Sequence, residues 1–528
     1  MIVRISLLTT FVSTLLLATA TTRCHAAQYR TKVAILGAGA AGISAASRLS
    51  QKNETDFMII EAQSFIGGRV QHQPFGDYSV ELGANWIYGK GANPIYRLAV
   101  RHGLATTPND KRDVVYFDAY GPTSTEMGHK TTEDFEQVME DMKRLSKNQV
   151  DLSSRTALRL LGWEPDTPLK SAVEYFAIDW ELAEPAEVAS LDYATGTTDM
   201  TVGTFPFGNE FVVDHRGFNF ILRKEADMFL EEEDERLLLN TMVTQVDYSQ
   251  ATTDADGLVR VTTNNGHEII GDYVLCTFSL GVLQSNTVQF IPELPEWKKE
   301  ALFSFHMTTY TKIFVKFDHQ FWGDWQFALY ADTNGTKPDS GYTVWQNLNA
   351  PGYFSAQNSD EKRRDNILMV TTTYKDSERI ERMSDTEIIE EITAVLQRMF
   401  PDFTVPRPLE ILVPRWHSNP LFRGSYSNWP IGMQTQHHDN IRAPLPADSK
   451  KPKVVFPGEA YSQDYYGYLH GAWLEGSSTA DSILECMDDE CTPQPFFDGI
   501  TGCSWEPTFK FRKSDHSAAA NIVLHKQS

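Results

Sequence analysis

The chain has 528 residues, 41 % hydrophobic and 12 % aromatic, which excludes a disordered or fibrous protein and is ample for two domains sharing a large core. Its formal net charge of −23 argues against nucleic acid and anionic membranes as partners. The same charge favours a small cationic ligand only weakly, because a Debye length of about 8 Å at physiological salt screens distributed carboxylates.

Residues 1–27 read as a secretory signal peptide: Arg4, then an apolar run with scattered hydroxyls, then small residues at Ala18-Thr-Ala20 and His25-Ala-Ala27. No later run reaches the about 18 apolar residues of a spanning helix, so the mature chain is expected to be secreted, with no membrane partner. The triplets Asn53-Glu-Thr55 and Asn334-Gly-Thr336 suit a secreted glycoprotein. Thr31–Leu36 predicts a strand, broken at Gly37 and followed by a small-residue helix to Ser50. A second strand, Asp56–Ile60, ends at Glu61. This is the opening of a doubly wound sheet.

Residues 101–212 read as largely helical, including an amphipathic stretch over Thr132–Asn148. Phe218–Leu230 predicts a further helix, and Glu231–Glu235 a solvated acidic loop. Strands are expected at Leu237–Val246, Val259–Thr263, Tyr273–Phe278, Tyr310–Phe317, Ile367–Tyr374 and Val454–Phe456, with helices over Met383–Phe400 and His470–Cys486. The fold expected is α/β and α+β: a Rossmann-like domain from residues 30–100, 213–300 and 415–490, interleaved with a substrate domain. The latter, residues 101–212 and 301–414, holds a mixed sheet flanked by helices, and 491–528 form a tail.

Of five cysteines, Cys24 belongs to the signal region and Cys276 to an apolar strand, as a buried thiol. Cys486, Cys491 and Cys503 allow one disulfide whose pairing stays open. No Cys/His spacing suggests a metal, and His437-His438 reads as part of a polar, solvated loop.

Gly37-Ala-Gly39-Ala-Ala-Gly42 carries the first chemistry. Gly37 permits the tight turn, Gly39 the approach of a pyrophosphate, and Gly42 close packing of helix on strand. The helix N-terminus offers free N–H groups to the diphosphate, and Glu61 can accept from ribose hydroxyls. Gly67-Gly68-Arg69 follows directly, with Arg69 able to bond phosphate in bidentate fashion. Later motifs are Val80-Glu-Leu-Gly-Ala-Asn-Trp86, Pro457-Gly458-Glu459 and Tyr466-Gly-Tyr468-Leu-His-Gly-Ala472. Glu459 can bind ribitol or ribose hydroxyls, and the helix starting near Leu469 directs unpaired N–H groups outward.

Through these motifs the chain resembles the FAD-dependent amine oxidase family, and is most similar to its plant and fungal extracellular polyamine oxidases. The resemblance implies a non-covalent FAD: the cysteine that ties the flavin in the monoamine oxidase branch is Ser425 here. It also implies that the Leu469 end faces the flavin pyrimidine, that Trp86 and Trp416 neighbour the flavin, and that the Val243 backbone contacts adenine. Lys312, in Tyr310-Thr-Lys312, would hold a water near flavin N5, although strand parity with Lys316 alone leaves both lysines in solvent. Tyr426 and Tyr468 would flank the amine. Glu181 matches a tunnel carboxylate, with Tyr310 and Tyr88 beside it; Tyr88 stands where the plant pattern has a second glutamate, which leaves the chain length and acetylation state of the amine open. The implied reaction is hydride transfer from a spermine- or spermidine-type amine to flavin N5, with O2 as acceptor, giving an aminoaldehyde, a shorter amine and H2O2. The alternatives are an L-amino acid oxidase, which would need a cationic clamp such as Arg415, or an inactive secreted flavoprotein. The oligomeric state is open, with a monomer as the default.

Overall fold

The computed structural model describes residues 26–147, 150–195, 205, 208–332, 341–353 and 365–498. Residues 1–25 of the expected signal segment, the Asn334 triplet and Cys503 lie outside them. Two large sheets organise the described chain. The first has eight strands, built around Gln28–Leu36, which pairs in parallel with Phe57–Ile60 on one side and Glu268–Cys276 on the other. The far edge of Glu268–Cys276 is shared. Its first half takes Val259–Thr263 antiparallel, and its second half takes Val454–Val455 in parallel. That shared edge brings the C-terminal Pro-Gly-Glu motif beside the N-terminal glycine turn.

Both faces of this sheet are covered, which is why its strands read as apolar runs rather than as alternations. Val33, Ile35, Ile59 and Leu275 pack under the helices Ala40–Gln51 and Leu469–Met487. Ala34, Leu36, Ile60 and Val274 pack on the opposite face with Val243, Val261, Trp297 and Leu302. The second sheet has seven strands in the order Glu410–Leu412, Tyr310–Phe317, Asn366–Thr373, Val344–Asn347, Phe327–Tyr330, Val114–Asp118, Gly121–Pro122. Helix Asp385–Met399, opened by a Ser384/Glu387 capping box, covers one face through Ile388, Ile392 and Leu396.

Several expectations need correction. Residues 101–212 are not uniformly helical: three short strands, Thr106–Pro108, Val114–Asp118 and Gly121–Pro122, precede the helices Thr125–Ser146, Ser154–Leu160, Pro168–Ala177 and Asp179–Leu182. The β-branched and aromatic run Val114-Val-Tyr-Phe117 pairs in parallel with Phe327–Tyr330. The strand read over Leu237–Val246 is two strands, Leu237–Leu238 and Val243–Asp247, because Asn240 adopts φ 53° and turns the chain between them. His437 and His438 lie on a helix, Thr435–Arg442, and His438 is fully buried against Trp429. Burial, with Arg442 nearby, pushes the His438 imidazole down to about 3, so it is neutral at physiological pH. The tail packs back as far as residue 498, with Phe496 against Trp297 and the Phe497 N–H on Asn440 Oδ1 at 2.7 Å. Cys486 is bonded to Cys491, and Cys276 is a buried free thiol.

Candidate active site

A continuous cavity runs from the glycine turn, along the edge of the first sheet, to the face of the second. Every residue proposed for the site from sequence lines it except Gly42, which acts from behind. A Cβ on Gly42 would lie 2.0 Å from the Gly37 carbonyl oxygen, so the missing side chain is what lets the helix sit on the turn. Gly37 is itself at φ 111°.

The dinucleotide end is polar. The first intrahelical bond of Ala40–Gln51 runs from Ile43 N to Gly39 O, so the N–H groups of Ala40, Ala41 and Gly42 lack helical acceptors, and Gly39 provides no side-chain cap. Glu61 accepts from Ala38 N at 2.7 Å and Gln63 N at 2.8 Å, leaving a lone pair on each carboxylate oxygen; burial raises its pKa. Thr241–Val243, just beyond the Asn240 turn, form the opposite wall. At the far end, helix Leu469–Met487 also starts without a side-chain cap. Its first intrahelical bond is Ala472 N to Tyr468 O, which leaves the N–H groups of Leu469, His470 and Gly471 without helical acceptors.

Arg69 and Glu459 are each engaged with other protein groups at the cavity wall. Arg69 Nη1 donates to Ser425 O and to Glu459 Oε1, each at 2.9 Å, so only the Nε–Nη2 edge is left for a phosphate. Glu459 also accepts from Ser427 Oγ at 2.6 Å and Gly467 N at 2.9 Å. Its carboxylate therefore clamps three segments of protein around the cavity. Two uncapped helix N-termini, a buried carboxylate with free lone pairs and a guanidinium edge form a donor set that fits FAD, with anionic diphosphate and hydroxyl-rich ribose. Ser425 Oγ is engaged with Tyr310, accepting from its N–H at 2.9 Å and donating to its carbonyl at 3.0 Å.

The other end is aromatic. Tyr88 meets Tyr468 with ring centroids 5.0 Å apart, and Tyr310 meets Tyr426 at 5.9 Å. Burial holds the phenols of Tyr88, Tyr310 and Tyr426 far above their ordinary pKa, so all three are neutral. Tyr426 OH donates to the Glu181 carbonyl at 3.1 Å. Trp416 Nε1 is fixed on Leu82 O at 3.1 Å, and Trp86 packs edge-on against Trp180.

Lys312 is 3 % exposed, not solvated. Its strand is covered on both faces, and it shares parity with Phe314, which packs with Phe75, Met369 and Leu412. Lys312 Nζ donates to Gly83 O at 2.6 Å and Glu81 O at 3.2 Å and lies 4.9 Å from the Trp86 ring centroid. Burial takes its pKa down to about 7, against the pull of Glu81. Lys316 is different: at half-burial it pairs with Glu410 and Asp365. Glu81, whose Oε1 accepts from Phe218 N at 2.6 Å, is pushed by burial up to about 8.

Sequence reasoning missed Trp180, Glu81 and Lys111. Trp180 could have been found from its place beside Glu181; Lys111 sits in a surface turn that carries no motif. Lys111 Nζ is 2.8 Å from Glu181 Oε2, so the expected tunnel carboxylate is already paired. Arg415, the possible carboxylate clamp, is outside the cavity and bonded to Asp385 at 2.7 Å and to the carbonyls of Glu381, Val413 and Met383.

Comparison with known proteins agrees with this geometry. A family model described as flavin containing amine oxidoreductase matches residues 40–484. The chain is 37 % identical over 471 residues to polyamine oxidase 7 of Oryza sativa subsp. japonica, covering 85 % of this chain and 93 % of that protein. It is 36 % identical over 485 residues to polyamine oxidase 1 of Zea mays, covering 86 % and 90 %. Wild-type putrescine oxidase bound to putrescine superposes with a TM-score of 0.66 at 16 % identity, over 87 % of this chain and 99 % of that one, a likeness of fold. The chain belongs to the flavin-containing amine oxidoreductase family and is an FAD-dependent amine oxidase.

Proposed function

We propose that this amine oxidase is a secreted enzyme acting on polyamines of the spermine and spermidine type. With O2 and water, the amine becomes an aminoaldehyde, a shorter amine and H2O2. Bound FAD supplies the two-electron oxidation of the carbon–nitrogen bond and passes the electrons to oxygen. The observation that carries the reading is the aromatic end of the cavity, which Tyr88, Tyr310, Tyr426 and Tyr468 line together with Lys312 and Glu181. The names of the plant relatives support the same substrate class.

The N–H groups of Ala40 and Ala41 and the Nε–Nη2 edge of Arg69 would hold the diphosphate, and Glu61 a ribose. The N-terminus of Leu469–Met487 would face the flavin pyrimidine. A nitrogen enclosed by Tyr426 and Tyr468 loses water, which penalises its charged form and lowers its pKa, so it is presented as a neutral amine with a free lone pair. Lys312 spends two N–H bonds on carbonyls and keeps a third position for a water in the cavity. Glu181 lies at the side where a remote ammonium of the substrate would reach. Secretion rests on the leader-like residues 1–27 and on Asn53, exposed in a turn within its acceptor triplet.

Under anaerobic conditions spermidine or spermine should bleach the flavin absorption, whereas leucine should leave it unchanged. Bleaching by leucine and by no polyamine would reverse the assignment.

A further inference from the structure

Only three acidic residues line the cavity among the described residues: Glu61, Glu459 and Glu181. Glu61 is at the dinucleotide end, and Glu459 is paired with Arg69. Glu181 is therefore the one carboxylate at the substrate end. Tyr88, which stands where the plant pattern has a second glutamate, is a neutral phenol. Glu181 in turn is held by Lys111 at 2.8 Å, so this end of the cavity has no net negative charge.

Lys111 is placed for this contact by a braced turn. Asp110 accepts from the N–H of Arg112 at 3.0 Å and the Arg112 guanidinium at 3.2 Å, while its own N–H is tied to Gln326 Oε1 at 3.0 Å. Asn109 Nδ2 donates to Tyr353 OH at 2.7 Å, and Phe327 N closes on Asp113 O at 3.0 Å. The Lys111 ammonium also lies 4.8 Å from the centroid of the Trp180 ring, whose electron-rich face offers a second resting place if the carboxylate is taken. The pair is partly exposed, with side-chain exposures of 35 % and 20 %, so it is weak enough for a substrate to displace.

We infer that Lys111 is a specificity-determining residue. Resting on the polyamine reading, it acts as a tethered counter-ion that occupies Glu181 and shifts preference away from polycations, toward amines whose remote nitrogen is uncharged, as in an N-acetylated polyamine. A substrate ammonium gains Glu181 only by expelling Lys111 and tolerating its charge nearby. An acetylated nitrogen meets no such competition.

The test is kcat/KM of the holoenzyme for spermine and N1-acetylspermine in Lys111→Met, Lys111→Arg, Glu181→Gln and the Lys111→Met/Glu181→Gln double variant. In Lys111→Met the spermine-to-acetylspermine ratio should rise about fivefold, equivalent to about 1 kcal/mol. It should stay at the wild-type value in Lys111→Arg, which keeps the charge, and the double variant should match Glu181→Gln. An unchanged ratio in Lys111→Met, or the same rise without Glu181, overturns the inference while leaving a polyamine oxidase. A wild-type enzyme that oxidises neither amine overturns the polyamine reading and this inference with it.

Discussion

Lys312→Met should lower kcat for amine oxidation by about 10²-fold or more, the scale on which a positioned acid–base group contributes. The lysine lines the cavity with the site tyrosines, and a thioether cannot hold a water in its place. The profile should change as well as the rate. With its pKa near 7, the wild-type side chain is an ammonium in acid and an amine in alkali, so the oxygen-dependent step should slow as pH rises through about 7. In Lys312→Met that dependence should be absent. Stability gives a separate readout. The folded lysine binds its proton only up to about 7, against 10.5 when unfolded, so between these values the unfolded state holds more protons and stability rises with pH. Below pH 7 the full penalty of burying the charge is present, and the variant is relieved of it, although Glu81 O and Gly83 O lose their donor. Stopped-flow reoxidation together with thermal unfolding at pH 6 and pH 9 checks both points. A variant with wild-type turnover, or one that keeps the inflection near pH 7, would remove Lys312 from the chemistry.

Gly42→Val should weaken FAD binding about tenfold or more, although Gly42 itself does not line the cavity. The new Cβ would stand 2.0 Å from the Gly37 carbonyl oxygen and 3.3 Å from Ile35 Cγ2. Backbone on one side and a core strand on the other leave the helix only one way to move, off the turn, which carries the N–H groups of Ala40 and Ala41 with it. Overpacking of this kind costs about 1–3 kcal/mol, about one to two decades in affinity. The flavin-to-protein absorbance ratio after dialysis, followed by titration with FAD, measures the loss; undiminished retention would show that the turn does not cradle the diphosphate.

These two residues also mark where the sequence is eloquent and where it is silent. The glycine turn, its two strands and Glu61 are legible because their signals are local: apolar runs, small residues and a terminal carboxylate within one supersecondary unit. Lys312 is not. Alternation along Tyr310–Phe317 says which residues share a face, but not that Asn366–Thr373 and Glu410–Leu412 flank the strand or that both of its faces are covered. The protein contacts of Glu459 were hidden for a related reason, since its partners Arg69 and Ser427 come from distant parts of the chain. Lys111 had no signal at all, because a lysine in a polar turn looks the same whether it meets water or a carboxylate. Asn240 did carry one: asparagine tolerates the left-handed turn that divides the expected strand in two.

The most direct measurement is flavin content before and after denaturation of the purified protein. A cavity with two uncapped helix N-termini, and with Ser425 already bonded to Tyr310, predicts yellow protein that releases about one FAD per chain into the supernatant when precipitated. Colourless protein that takes up no added FAD, or flavin that stays with the precipitate, would contradict it.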